Sequence, residues 1–233
     1  MLRNSDFFNF IRWRGMYYHR YCFSVFCVLF LCVGFVPIVA HELVELRMIN
    51  PRIQVEMRYA TDFNVLGHAI YPFSGCFLVR EVAEKLSRVQ EELERKGYGL
   101  KVYDAYRPSA TKAFLSPKAD LPETTTEIYF VADFHGHHRG TAVDVGLVCL
   151  SDADLEMPTD FNTYNERTAR ACQFWPPHVY HNMQILESTM KRFGFIPSQG
   201  EWWHFDYYTF RCYPVLDISF EELADEVAQS LAR

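Results

Sequence analysis

The chain has 233 residues, a formal net charge of −6 and a hydrophobic content of 49%. Residues 1–40 carry Arg3, Arg12, Arg14 and Arg20 against Asp6 alone, so the acidity is concentrated in residues 41–233. An acidic body of that size is enough for one domain with a real core. It argues against nucleic acid as a partner, and against adhesion to anionic lipid beyond the N-terminal segment.

Residues 21–40, YCFSVFCVLFLCVGFVPIVA, contain no charge and follow the basic stretch. This pattern, with Pro37 and Ala40 at its end, predicts a secretory signal, or an uncleaved membrane anchor of just sufficient length. The expected division is therefore 1–40 as signal or anchor and 41–233 as one domain, exported to the periplasm or cell envelope. Cys22, Cys27 and Cys32 belong to the first part. Cys76, Cys149, Cys172 and Cys212 remain, and after export one or two disulfides are as natural as four buried thiols. No pair has C-x-x-C spacing, which argues against a cysteine zinc site.

Residues 53–59, IQVEMRY, alternate like a half-buried strand. Val82, Leu86, Val89 and Leu93 predict an amphipathic helix over 79–96, stopped by Gly97. A short strand follows over Leu100–Asp104, and the turn at Arg107-Pro108 opens a short helix, SATKAFL. Residues 116–136 are irregular, and Thr141 to Val148 form a strand. Residues 150–177 form a long loop, with Pro158, Pro176 and Pro177 as breakers. Val179, Met183, Leu186, Met190 and Phe193 mark a second helix, ended by Gly194. HFDYYTF at 204–210 is a strand candidate. Ser219 and Glu222 form a capping box that opens a helix with Phe220, Leu223, Val227 and Leu231 on one side. Helices and strands mix without a regular βαβ repeat, which predicts an α+β fold: a single domain with a mainly antiparallel sheet packed by helices.

Three stretches join ionisable groups to strand edges or turns: DAYRP at 104–108, HHRGTAVD at 137–144 and GEWWHF at 200–205. A carboxylate in an apolar strand is costly unless something positive meets it. On that strand Ala142, Asp144 and Gly146 share a face, and the small neighbours leave room above Asp144 for an ion. His137 precedes it across a turn that Gly140 can make, and His204 is the best candidate for a third ligand. Two imidazoles and a carboxylate with a fourth position open form a catalytic zinc set. Glu201 then stands where metal-assisted peptide hydrolysis needs a base, taking a proton from water and passing it to the leaving amine. Arg107, permanently charged at a strand-end turn, suits the oxyanion of the tetrahedral intermediate. Each motif alone is weak. Asp144 paired with Arg139, Trp202 and Trp203 as core, and Arg107 as a surface cation would account for the same letters. His135 and His138 compete with His137 for the ligand position, and the G-T-A-V-D spacing favours His137. His68, His178 and His181 read as surface or helix residues.

Taken in order, the motifs resemble those of the VanX-type D-alanyl-D-alanine dipeptidases, within the zinc D,D-peptidases that share a fold with the hedgehog signalling domain. That family has an arginine in a D-A-Y-R-P turn, then S-x-H-x-x-G-x-x-x-D, then E-x-W-H. Here these stand as DAYRP, HGHHRGTAVD and EWWH, and the likeness extends to VEMRYAT at 55–61, LEMPTDF at 155–161 and FGFIP at 193–197. The resemblance implies one zinc ion per chain on His137, Asp144 and His204, with Glu201 as general base and acid and Arg107 as transition-state stabiliser. It implies a small D-amino-acid-containing peptide from the cell wall as substrate, contacted by His135, Asn162 and Tyr59. Two of these depart from the pattern: His135 replaces a serine, and Asn162 replaces an acid that helps hold the free amino group. Pro158 also replaces a glycine. A histidine and an amide suit an ammonium less well than a serine and a carboxylate. A peptidoglycan carboxypeptidase or endopeptidase of the same fold is therefore an alternative. A zinc-holding module without hydrolysis is a third, against which the presence of both Glu201 and Arg107 argues.

Overall fold

A computed structural model of the protein describes residues 42–111, 136–151 and 153–232. The expected export segment, His135, most of the irregular stretch at 116–136 and the second half of SATKAFL lie outside these residues.

The described chain starts with β1 (Leu43–Glu45), one helical turn, α1 (Leu46–Ile49), and a two-residue strand, β2 (Gln54–Val55). The strand expected over 53–59 stops there. Arg58 is drawn inward by Glu56 at 2.5 Å, Asp160 at 3.2 Å and the Tyr103 ring at 5.3 Å, and a 3₁₀ turn over Arg58–Ala60 accommodates it. β3 (Phe77–Val79) pairs antiparallel with β1 and runs straight into α2 (Arg80–Glu94). The predicted stripe of Val82, Leu86, Val89 and Leu93 is buried, together with Ala83.

After β4 (Tyr98–Asp104) come β5 (Ala142–Cys149), α3 (Pro177–Arg192), β6 (Phe195–Pro197), β7 (His204–Tyr207) and α4 (Phe220–Leu231). Pro177 opens α3 at a position that needs no N–H donor. Ser219 and Glu222 form the expected capping box of α4. β7 is shorter than the predicted 204–210. Its neighbours both turn away at glycines, Gly140 before β5 and Gly194 before β6, so past Tyr207 no ladder partner continues.

The sheet order is β2-β4-β5-β7-β6, parallel only between β2 and β4, with β1–β3 as a separate ribbon. The α+β, mainly antiparallel architecture is thus the one predicted. α2 packs on β4, α3 packs on β5 and β6, and the two helices touch. Val143, Val145 and Leu147 join the core, which by alternation leaves Ala142, Asp144 and Gly146 on the opposite face of β5. Cys76, Cys149, Cys172 and Cys212 form no disulfide with one another in this fold; Cys76 alone of the four is buried, and Cys212 is exposed. Among the described residues no helix is long and apolar enough to cross a membrane.

Candidate active site

Asp144 is the middle of a row across the sheet. It stands opposite Asp104 of β4 on one side and His204 of β7 on the other, and opposed residues in a sheet share a face. A register shift between Val102 and Asp104 re-aims the end of β4. His137 arrives from the 3₁₀ turn Gly136–Arg139 just before β5. Gly140 closes that turn at φ 65°, and a Cβ there would lie 2.4 Å from Leu43 Cδ2. Of the small neighbours expected to leave room above Asp144, Gly146 does not: the Tyr103 hydroxyl lies 2.6 Å from where its Cβ would be. Room for an ion lies instead toward His137 and His204.

His137, Asp144 and His204 are only 1–2% exposed, and each offers a ligand atom within 4.8 Å of the others. Asp144 Oδ1 is 3.3 Å from His137 Nε2 and 3.0 Å from His204 Nδ1, and those two ring nitrogens are 3.2 Å apart. The outward nitrogens face other oxygens. His137 Nδ1 donates to the Ala105 carbonyl at 2.5 Å, and His204 Nε2 lies 3.4 Å from Asp206 Oδ2. A carbonyl oxygen can only accept, so it fixes the hydrogen on His137 Nδ1 and turns the Nε2 lone pair inward; the Asp206 carboxylate, within ion-pair range, favours a hydrogen on His204 Nε2 through its charge.

Burial opposes a charge on His204, but the hydrogen bonds to Asp144 and Asp206 outweigh it and raise its pKa to about 10. Burial also opposes the Asp144 charge, yet His137 and then His204 hold that carboxyl well below the usual carboxylate range. A carboxylate that draws positive charge this strongly, faced by two imidazole nitrogens, fits a divalent metal ion, which would take the place of the proton that His204 holds there. The alternatives raised by the sequence go elsewhere. Arg139 donates to the Tyr213 carbonyl rather than to Asp144, and His138 Nδ1 donates to the Arg107 carbonyl at 2.8 Å. His68, His178 and His181 are exposed.

Arg107 follows the bulged end of β4. Its Nε donates to Asp104 Oδ2 at 2.6 Å, Nη2 reaches Asp144 Oδ2 at 3.4 Å, and the guanidinium lies 5.6 Å from the Tyr59 ring centre. Asp104 is fully buried and also accepts from the Tyr71 hydroxyl at 3.0 Å and the Ala105 N–H at 2.9 Å. The arginine is therefore a fixed cation beside the cluster. Glu201 projects from the loop between β6 and β7. Burial raises its pKa; His204 opposes this, Asp144 adds to it, and Tyr164 and Arg107 pull back, with the net shift upward. A carboxyl poised in this way is a candidate general base.

Arg170 pins the same loop, donating to the carbonyls of Ser198 at 2.6 Å and Trp202 at 2.7 Å and pairing with Glu187 at 3.1 Å. Trp202 and Trp203 are buried core residues. Of the expected substrate contacts, Tyr59 and Asn162 come together, the Asn162 amide donating to the Tyr59 hydroxyl. The Tyr164 hydroxyl lies 3.0 Å from Asn162 Oδ1 and 2.9 Å from Glu201 Oε1.

Sequence reasoning assigned no role to Asp104, Asp206, Tyr164 or Arg170. Asp104 is the first letter of DAYRP, and Asp206 stands two residues past His204, hence on the same strand face. Tyr164 and Arg170 lie in the long loop, where no periodicity marks them.

A buried His–Asp–His cluster on a mixed sheet, flanked by a fixed arginine and a carboxylate of raised pKa, defines a metallopeptidase. The chain belongs to the M15 peptidase family, whose model, described as D-ala-D-ala dipeptidase, matches residues 39–214. It is 31% identical over 179 residues to a D-alanyl-D-alanine dipeptidase of Escherichia coli K12, covering 77% of this chain and 91% of that protein. It is 30% identical over 190 residues to one of Streptomyces coelicolor, covering 72% and 91%, and 29% identical over 172 residues to one of Enterococcus faecium, covering 66% and 85%.

Proposed function

We propose that this chain is a zinc-dependent dipeptidase that hydrolyses D-alanyl-D-alanine, or a related small D-amino-acid-containing peptide, in cell-wall peptide metabolism. The observation that carries this is the convergence of two buried imidazoles and one carboxylate, each offering a ligand atom within 4.8 Å of the others, with His137 oriented by the Ala105 carbonyl. The names of the similar proteins support the substrate class. His137, Asp144 and His204 would hold the ion, and two nitrogens with one oxygen suit zinc with a position left open. When bound, the ion supplies Lewis acidity toward the scissile carbonyl and the attacking water.

The chain's own residues do the rest. Glu201 accepts the proton that the attacking water gives up and delivers it to the departing amine. Arg107, already locked onto Asp104, meets the negative charge that grows on the carbonyl oxygen without having to reorganise. Tyr59 and Asn162 offer neutral hydrogen-bonding groups near Glu201. An amide grips an ammonium less firmly than a carboxylate does, and this favours a second substrate class, longer stem peptides, beside the free dipeptide. Residues 1–40 fit an export segment: they are basic, then uncharged, and the family match starts only at residue 39. Export would deliver the enzyme to the periplasm or cell envelope, which fractionation of expressing cells tests.

The deciding assay incubates the zinc-loaded protein with D-Ala-D-Ala, its L-isomers and longer muropeptides while following amine release. Preferred cleavage of the free dipeptide is expected; cleavage of stem peptides alone would make the protein a carboxypeptidase or endopeptidase. Glu201→Ala should lower kcat by about 10²–10⁴-fold with zinc still bound. Unchanged turnover would remove Glu201 from its role.

A further inference from the structure

We propose that Tyr164 is a positioning residue for Glu201: its hydroxyl holds the carboxylate in one orientation beside the His137–Asp144–His204 cluster. The inference rests on the dipeptidase reading, in which Glu201 carries the proton. Glu201 stands in the loop between β6 and β7, where no strand register sets its side chain. Among the described residues the one side-chain hydrogen bond to its carboxylate comes from Tyr164, at 2.9 Å from Oε1.

Tyr164 is itself held at two points. Its ring meets buried Trp203 edge-on at 5.5 Å, and its hydroxyl lies 3.0 Å from Asn162 Oδ1. Asn162 takes a left-handed backbone conformation, φ 61°, that asparagine tolerates, and passes the contact on to Tyr59, over which Arg107 sits. The base and the cation are thus tied through one run of side chains: Glu201, Tyr164, Asn162, Tyr59, Arg107. A phenol has one hydrogen to give, and here two oxygens stand ready to take it. The carboxylate, at 2.9 Å, is the stronger acceptor of the two, so the hydroxyl gives its hydrogen to Glu201 and keeps that side chain in place.

The test compares wild type, Tyr164→Phe and Tyr164→Leu as full-length zinc-loaded proteins. It measures kcat, KM and zinc content with D-Ala-D-Ala, and compares crystal structures of wild type and the Phe variant. Phe keeps the ring against Trp203 and removes only the hydroxyl. It should lower kcat by about 10- to 100-fold, the loss expected for one hydrogen bond to a charged group. KM and zinc content should hold, and Glu201 should spread over more than one rotamer. A Phe variant with wild-type kcat and a single Glu201 rotamer, and loss confined to Leu, would assign Tyr164 to packing and overturn the proposal. Should wild type itself fail to cleave D-Ala-D-Ala, the functional reading falls, and the Glu201 rotamers of the Phe variant alone decide whether Tyr164 positions it.

Discussion

Asp206 accepts the Gly136 N–H at 2.9 Å and lies 3.4 Å from His204 Nε2, so one carboxylate steadies both the turn and the strand that carry the imidazoles. Asp206→Asn would keep the shape but can present an NH₂ to Nε2. The ring hydrogen would then move to Nδ1, which the ion needs bare. Metal affinity should fall by about 10- to 100-fold, read by competition with a chromogenic chelator; an unchanged affinity would show that the tautomer is set elsewhere. Arg107 engages Asp104 through Nε and Asp144 through Nη2, a two-armed grip that an ammonium cannot copy. Arg107→Lys should cost about 10²–10³ in kcat with little change in KM, measured at steady state. Wild-type kcat in the lysine variant would leave the oxyanion to other donors.

Between residues and fold stands the β6–β7 loop, which α3 and the long loop before it support through Arg170. Burial brings the Arg170 pKa down to about 10, with Glu187 opposing, so the guanidinium stays charged at neutral pH. It lies over the Phe205 ring at 4.5 Å. Arg170→Met would retain the stem but leave the Ser198 and Trp202 carbonyls without that donor, while Glu187 keeps Lys191 at 2.5 Å. It should destabilise the fold by about 1–3 kcal/mol for each carbonyl left unsatisfied, in urea unfolding. A loss below about 1 kcal/mol, the worth of a surface pair, would show that the loop stands without its clamp.

This clamp also marks where the sequence stopped being legible. α2, α3 and the α4 cap announce themselves because burial on one face repeats every three to four positions, and Val82, Leu86, Val89 and Leu93 keep that interval. β1, β3 and β6 have three residues each, too short for alternation to show, and their pairing is decided by distant partners. The cluster residues were legible because His137, Asp144, His204 and Glu201 are chemically distinctive and sit at tell-tale intervals. Arg170 and Tyr164 were not, since their targets, backbone carbonyls, the carboxylates of Glu187 and Glu201 and the Asn162 amide oxygen, are chosen by tertiary packing alone. The reach of Arg58 toward Asp160, 102 positions away, cut short a strand that local alternation predicted, for the same reason.

On the scale of the whole molecule, an ion held by His137, Asp144 and His204 binds the folded chain and not the unfolded one. Stripping it with a chelator should therefore abolish turnover and lower the melting temperature by about 5–10 °C, from linkage at metal concentrations well above Kd. Differential scanning fluorimetry with and without chelator checks this, and coincident melting curves would mean that the cluster holds no ion. His137 and Asp144 are near neighbours in the chain, but His204 lies 60 and 67 positions from them and meets Asp144 through the pairing of β5 with β7. Closing spans of that length is slow compared with forming α2 or α3. The full set of three donors can therefore form only once β5 and β7 have paired, so an ion that needs all three would be taken up late, after the central sheet has been laid down.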